Sequence, residues 1–389
     1  MNTKTGIWAI AKREFRRMAS SKICIWGIVF APIFSLCLLI YMMNAGLPTK
    51  IPIAVVDLDN SSTSRALARQ LDAFAKTDIA FKSLSFREAR EQMERWEVYA
   101  VLTIPRDFSK DATSGAQPKL VFYTNNAFLI SGSLLFQDLK TACVLASASV
   151  GLKTAEAKGI TESQIMPVLQ PITVESHALS NPWLNYSLYL NNMVLPGILQ
   201  LIVLMFTVSA LGCEVKAGEG SKLMNMGGNS IWKVMCGKLL PYTAVYMLIA
   251  LLFMSILYFY NHFPLNNGFV PMLAGYFALI IATQALGVIL LGIFPNYRLA
   301  LSTASLIGIL TFSLTGFSFP IQAMDSCLYA ISHLLPLRHF FRIYVDQALN
   351  GLTIGYSAYS YAILLCFVLL SFLFYGRIKD FLSENKYEE

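Results

Sequence analysis

Six stretches of the chain are apolar and free of Asp, Glu, Lys and Arg over a length that suits a membrane-crossing helix: residues 23 to 43, 191 to 213, 239 to 260, 270 to 294, 299 to 318 and 355 to 376. A hydrocarbon core of about 30 Å takes about 20 residues of α-helix. One charge at mid-bilayer costs about 3 kcal/mol, so six uncharged runs predict six spans. The first run follows basic residues, as a secretory signal does. A signal's apolar core is only about 7 to 15 residues long and ends at a small-residue cleavage site; none follows Met43, and the run is read as a span.

Between the first and second runs the period changes. Residues 44 to 188 open with IPIAVVD, STSRALARQLDAF, IAFKSL, FREAREQMERW, VYAVLTI and KLVFYT, short β-branched runs alternating with polar helical stretches. Apolar runs of this length bounded by turn and cap residues read as strands, and Asn60 to Ser62 forms an N-cap cluster for a helix after Asp57. Residues 129 to about 170 read as one long helix or two. The predicted fold is therefore an α-helical polytopic membrane protein of six transmembrane helices with an inserted extracytoplasmic α/β domain.

Composition agrees: of 389 residues 56% are hydrophobic and 14% charged, well below the roughly 25% charged of soluble domains. Charge placement sets the orientation. With the N-terminus cytoplasmic, the inside segments hold fourteen basic residues: Lys4, Lys12, Arg13, Arg16, Arg17 and Lys22; Lys216, Lys222, Lys233 and Lys238; Arg298; Arg377, Lys379 and Lys386. The short outside segments hold only Arg338 and Arg342, so both termini are expected inside. The net charge of +7 then reflects topology and anionic lipid headgroups rather than nucleic acid, and the expected location is a bacterial inner membrane, with the chain a multi-pass protein. Residues 5 to 19 add an amphipathic helix, with Ile7, Trp8, Ala11, Phe15 and Met18 on one side and Lys12, Arg13, Arg16 and Arg17 on the other, suited to lying on the inner membrane surface.

Candidate chemistry is sparse. IAVVDLDNS resembles the D-x-D phosphotransfer motif of haloacid-dehalogenase-like enzymes, but Ser61 stands where Thr or Val is preferred. Asp57 and Asp59 read better as a strand end and a helix cap. His177, His262, His333 and His339 lack metal-ligand spacing and read as interfacial or loop residues, and no metal site is expected. Of seven cysteines only Cys143 lies in the inserted domain, and a bridge from it to Cys327 stays open beside two free thiols.

The segment ALGCEVKAGEGSKLMNMGGNSIWKVMCGKLLPY joins the second and third spans, and residues 214 to 238 form its cytoplasmic loop, Gly-punctuated and suited to a small helix presented to a partner. A basic elbow helix over residues 1 to 22, one span, an outer domain opening with IPIAVVDLDNSSTSRALARQL, a YAVLTIPRDFSKD stretch, NNMVLPGILQLIVL and five clustered spans together resemble an ABC type 2 exporter permease of the drug-export class. So does GFSFPIQAMDSCLYAISHLLPLRHFFRIYVDQALNG, within the outer loop 319 to 354. The resemblance implies that the loop is a coupling segment, in which Glu214 keeps the family's acid while G-E-G-S replaces its Gly-Thr. By the same resemblance Glu214, Lys216, Gly218 and Glu219 of that segment, with Arg13, Arg16 and Arg17 of the elbow helix, contact a cytoplasmic ATP-binding subunit. It further implies a second permease copy, identical or related. A periplasmic membrane-fusion adaptor and an outer-membrane channel are further partners of such systems.

No cofactor is expected on this chain, ATP and magnesium belonging to the partner. The nearest approach to a P-loop is Gly237-Lys238, where Leu239 follows and Trp232 occupies the earlier glycine position. In the fifth span Ser302, Ser305, Gly308, Thr311, Thr315 and Ser318 form a small, polar stripe. With Gln200 and Thr207 of the second span it serves close helix packing or lines a pore. No span carries an ionisable residue, which disfavours a proton- or sodium-coupled antiporter. The expected function is export of a drug-like, lipid-like or other amphiphilic substrate. The alternative is a membrane sensor whose outer domain binds a ligand, and the short cytoplasmic parts leave it no signalling output.

Overall fold

A computed structural model describes residues 6–44, 46–114, 116–169, 180–181 and 184–384. His177, Lys4 and Lys386 lie outside the described residues. The chain divides into two compact units, one of residues 45 to 178 and one of residues 1 to 44 with 179 to 389.

The inserted unit is built on strands β1 (Ile51–Asp57), β2 (Thr77–Ser83), β3 (Ala100–Ile104) and β4 (Val121–Thr124) in the order β2-β1-β3-β4. β1 runs parallel to β2 and β3, and β4 closes antiparallel on β3. Ile53 faces Ile79 and Ala54 faces Phe81, so Ala80 is a bulge in β2. The first two helices of the chain are α1 (Ile7–Ser20) and α2 (Lys22–Met42). The crossovers of the sheet are α3 (Ser62–Asp72), α4 (Phe86–Glu94) and α5 (Phe108–Ser114). Ser61 caps α3 by accepting the Ser64 amide at 3.1 Å. Asp57 closes the turn before it, its Oδ1 accepting the amides of Asp59 at 3.1 Å and Asn60 at 2.9 Å, while Asp59 Oδ2 accepts the Ser109 amide at 3.2 Å. Both carboxylates are thus engaged in shaping strand and helix ends.

The long helix of residues 129 to 170 is two, α6 (Leu129–Ala157) and α7 (Glu162–Leu169). By length and composition α6 is a seventh helix able to cross a membrane. It nonetheless packs on the sheet: Leu135, Leu139 and Ala142 are buried against Ile53, Val55, Leu102 and Ile104, and the buried Asp138 accepts from Thr77 Oγ1 at 3.1 Å.

All six uncharged runs are helical: α2, then α8 (Tyr186–Lys216), α10 (Ile231–Tyr260), α11 (Phe269–Ile293), α12 (Tyr297–Leu314) and α15 (Ile354–Phe372). The short helix α9 (Gly220–Met226) lies between α8 and α10. The stretch read as an outer loop folds into α13 (Ser326–Ser332) and α14 (Pro336–Tyr344), and α16 (Tyr375–Glu384) follows α15. α8 and α11 are two-thirds buried and form the axis of the unit. One hydrophobic cluster gathers Tyr246, Phe253, Tyr276 and Phe340, and a second gathers Leu211, Val215, Leu223, Met224, Ile378 and Leu382. Pro196 sits inside α8, and the neighbouring Asn192 turns its amide to the Leu188 carbonyl at 2.9 Å and accepts from the Tyr258 hydroxyl at 3.1 Å.

His339 departs from the interfacial or loop role expected of it. It is fully buried in α14, where Nε2 donates to the His333 carbonyl at 3.0 Å. Burial, with Arg338 nearby, pushes its pKa down to about 4.

Two outcomes follow from this packing. Leu139→Ala should destabilise the inserted unit by about 2–5 kcal/mol, read as faster proteolysis of residues 45 to 178 in the intact protein; a lipid-facing Leu139 would make the change nearly silent. Because His339 titrates below its unfolded value of about 6.5, its contribution to stability is complete above that pH and is lost as pH falls toward about 4. His339→Gln should therefore flatten the fall in melting temperature between neutral pH and that point.

Candidate functional site

The sequence implied that Arg13, Arg16 and Arg17 share one free basic face and that Glu214, Lys216, Gly218 and Glu219 form an open loop. The structure rearranges both sets. α8 remains helical through Lys216, carrying Glu214 on its buried face, and α10 begins at Ile231, so Lys238 lies inside a helix. Where α1 crosses α10, a Cβ on Gly237 would sit 2.8 Å from both the Ile10 Cβ and the Ile7 carbonyl, so glycine permits the approach. The Gly6 amide donates to the Met226 carbonyl at 3.0 Å and ties the start of α1 to the end of α9.

This crossing encloses a cluster of charges. Lys238 Nζ lies 2.7 Å from Glu214 Oε1 and 2.8 Å from Glu14 Oε1, and none of these three side chains has exposed surface. Arg13 donates to Glu214 Oε2 at 2.9 Å, to Glu14 Oε1 at 3.2 Å and to Glu219 Oε2 at 2.8 Å, and Arg17 also donates to Glu214. Three cations and three carboxylates make the set neutral. Burial opposes the charge on Arg13 and Arg17, but the Glu214 carboxylate outweighs it and raises both pKa values. Glu14 Oε2 has no hydrogen-bond partner among the described residues.

Glu214 is therefore a buried anchor for α1, not an exposed contact for a partner, and Arg13 and Arg17 are held by it. Gly218, at φ +66°, ends α8: its amide donates to Val215 and that of Glu219 to Glu214, the Schellman pattern, which turns Glu219 back toward Arg13. Lys216 and Arg16 are exposed, and Glu219 is half-exposed. Sequence reading missed Glu14 and Lys238. Ile10, Glu14 and Met18 recur at four-residue intervals on one buried stripe of α1, a signal that an acid faces the protein. It also missed α16, whose Ile378 and Leu382 pack against Leu223 and Met224 of α9.

Gln200, Thr207, Ser305, Thr311 and Thr315 do not share one surface. Thr311 and Thr315 are both buried, Thr311 on the seam of α12 with α8, where Gln200 Nε2 lies 3.5 Å from Thr311 Oγ1. Close approach explains the seam: a Cβ on Gly308 would lie 2.3 Å from Leu201 Cδ1, and one on Gly197 2.3 Å from the Phe312 ring. Thr207 instead packs on Gly287 of α11 and donates to the Val203 carbonyl at 2.6 Å. Ser305 lies off the seam, partly exposed.

Removing one member of a buried ion cluster strands its partner. Glu214→Gln and Lys238→Gln should each destabilise the chain by about 3–5 kcal/mol, whereas Arg16→Gln, at an exposed position, should change stability by less than about 0.5 kcal/mol. Denaturant unfolding of the purified protein distinguishes these.

Residues 22–376 match the model of a family described as ABC-2 family transporter protein, which spans most of the chain and begins at the first apolar helix. No curated protein matches the sequence. The family accounts for the apolar helices, requires a membrane and a separate ATP-binding partner, and does not itself carry an ATPase. This chain thus belongs to the ABC-2 family of transporter proteins and is a membrane permease subunit of an ABC transporter.

Proposed function

We propose that the chain is the permease of an ATP-driven exporter in a bacterial inner membrane. It moves an amphiphilic, drug-like or lipid-like substrate outward as one half of a dimeric pore. Six helices, α2, α8, α10, α11, α12 and α15, cross the bilayer with both termini in the cytoplasm. α6 stays with the sheet of the inserted unit outside the cytoplasm, where an adaptor leading to an outer-membrane channel is its natural neighbour. The fourteen-to-two distribution of Lys and Arg supports this orientation.

The observation that carries the reading is the ion cluster. It joins α1 to the end of α8, to α9 through Glu219 and to the start of α10. A push on that surface therefore reaches the second and third spans through buried ionic contacts rather than through a slack loop. Exposed Lys216 and Lys222, with half-exposed Glu219, offer the ATP-binding subunit a polar docking face. ATP and magnesium are held by that subunit.

Mild crosslinking in the native membrane followed by purification should bring down an ATP-binding subunit in stoichiometric amount, and the chain alone should hydrolyse no ATP. Substrate efflux from liposomes holding this chain alone would overturn the exporter reading. Cys236 and Cys327 are both exposed. A membrane-impermeant maleimide should reach Cys327 in spheroplasts and Cys236 only after permeabilisation; the reverse pattern would invert the topology. Lys216→Ala with Glu219→Ala should lower transport-coupled ATP hydrolysis severalfold while leaving membrane insertion intact.

A further inference from the structure

Opposite the ion cluster, α1 presents an exposed face that is both apolar and cationic. Trp8 is 80% exposed and Phe15 59% exposed, large apolar side chains on a helix that also carries exposed Lys12 and Arg16. Beside Phe15 opens a groove of about 210 Å³ lined by Phe15, Met18, Ala19, Cys24, Ile28 and Val245. Its walls come from three elements: α1, the start of α2 and α10. The α2 wall is a π-helical turn, Ile25–Phe30, a rare distortion that accompanies functional sites. The turn is held against α8 at Gly27, where a Cβ would lie 2.2 Å from the Phe206 ring. The lining is apolar throughout and shaped for hydrocarbon.

The rim is cationic. Lys12, Arg16 and Ala19 succeed one another at intervals of four and three residues, so both cations stand on the same flank of α1 as the mouth of the groove. Lys22, also exposed, starts α2 beside it. From residue 6 to residue 44 the sole acid is Glu14, which is buried and bound to Lys238 and Arg13, so no carboxylate competes at the rim. Arg13 and Arg17 are bound in the cluster. The cations of α1 therefore divide between two tasks, and one set faces outward above an apolar slot.

We propose that this groove is a binding site for one anionic phospholipid, an acyl chain lying along Met18, Ile28 and Val245 and the phosphate headgroup held by Lys12, Arg16 and Lys22. The site goes beyond a helix resting on a charged surface: a bound chain wedges α1 against α2 and α10 and fixes the helix whose other side holds Glu214. Its effect on coupling rests on the permease reading; lipid binding itself does not.

The test uses the full-length protein reconstituted in phosphatidylcholine vesicles with and without phosphatidylglycerol, released into mild detergent and weighed by native mass spectrometry. One retained phosphatidylglycerol per chain is expected, with phosphatidylcholine lost. Each basic residue near an anionic surface contributes about fivefold in affinity, so Lys12→Gln with Arg16→Gln should weaken retention roughly 25-fold. Ala19→Phe should abolish it by filling the slot, and the double glutamine variant, altering only exposed positions, serves should Ala19→Phe fold poorly. Equal retention of both lipids, or no effect of the glutamine substitutions, would overturn the proposal. So would capture of a protein instead of lipid by a photoreactive side chain at position 19. The readout needs neither ATP nor transport, so its failure leaves the permease reading standing, and failure of the crosslinking experiment leaves the lipid site standing.

Discussion

Charge balance around a buried ionic core is the constraint around which the helical unit is arranged. Lys238, Glu14 and Glu214 are removed from solvent, and an isolated ion in such surroundings would cost several kcal/mol even after relaxation. The cost is contained only while all members of the set meet, which requires α1, α8 and α10 to keep one mutual orientation. Well-packed apolar residues could fill the same space at equal or lower energy. What they would not do is fix direction: an ion cluster with defined hydrogen bonds has one register, whereas apolar surfaces slide. The joint thus fixes the mutual register of α1, α8 and α10.

The seams elsewhere in the unit work by shape. α8 meets α12 through Gly197, Gly308 and Thr311 and meets α11 through Thr207 and Gly287, with polar groups bonded to their own helices. Such contacts hold helices close and impose little on their ends. The chain thus combines steric seams along α8, where it meets α11 and α12, with an ionic joint where α8 meets α1 and α10.

Much of the fold was legible because its signals are local. Uncharged runs marked α2, α8, α10, α11, α12 and α15, and β-branched runs with a Ser cap marked β1 and α3. The joint was less legible because burial of a charge depends on partners far away in the sequence. Glu214 was singled out as an acid just past a span, and its position suggested exposure; nothing local revealed that Lys238, placed at the edge of a loop, and Glu14, surrounded by bases, would enclose it. The basic character of α1 likewise concealed two populations, since Arg13 and Arg17 differ from Lys12 and Arg16 only in the side of the helix they occupy. α6 shows the opposite ambiguity. Its composition satisfies the rule for a span, yet Leu135 and Leu139 pack against the sheet, a contact that composition does not announce.

The separation of Arg13 from Glu214, 201 residues along the chain, also governs when the joint can exist. At about 5–20 residues per second of synthesis, roughly 10–40 s pass between emergence of the arginine and of its carboxylate. Throughout that interval the first helix has emerged without the residues that will neutralise it. Closure of the joint is therefore a late event in biogenesis, withheld until the inserted unit and the start of the third apolar helix have been made. A chain truncated before Lys238 would carry an elbow that never locks, giving quality-control proteases a distinguishing mark for unfinished copies.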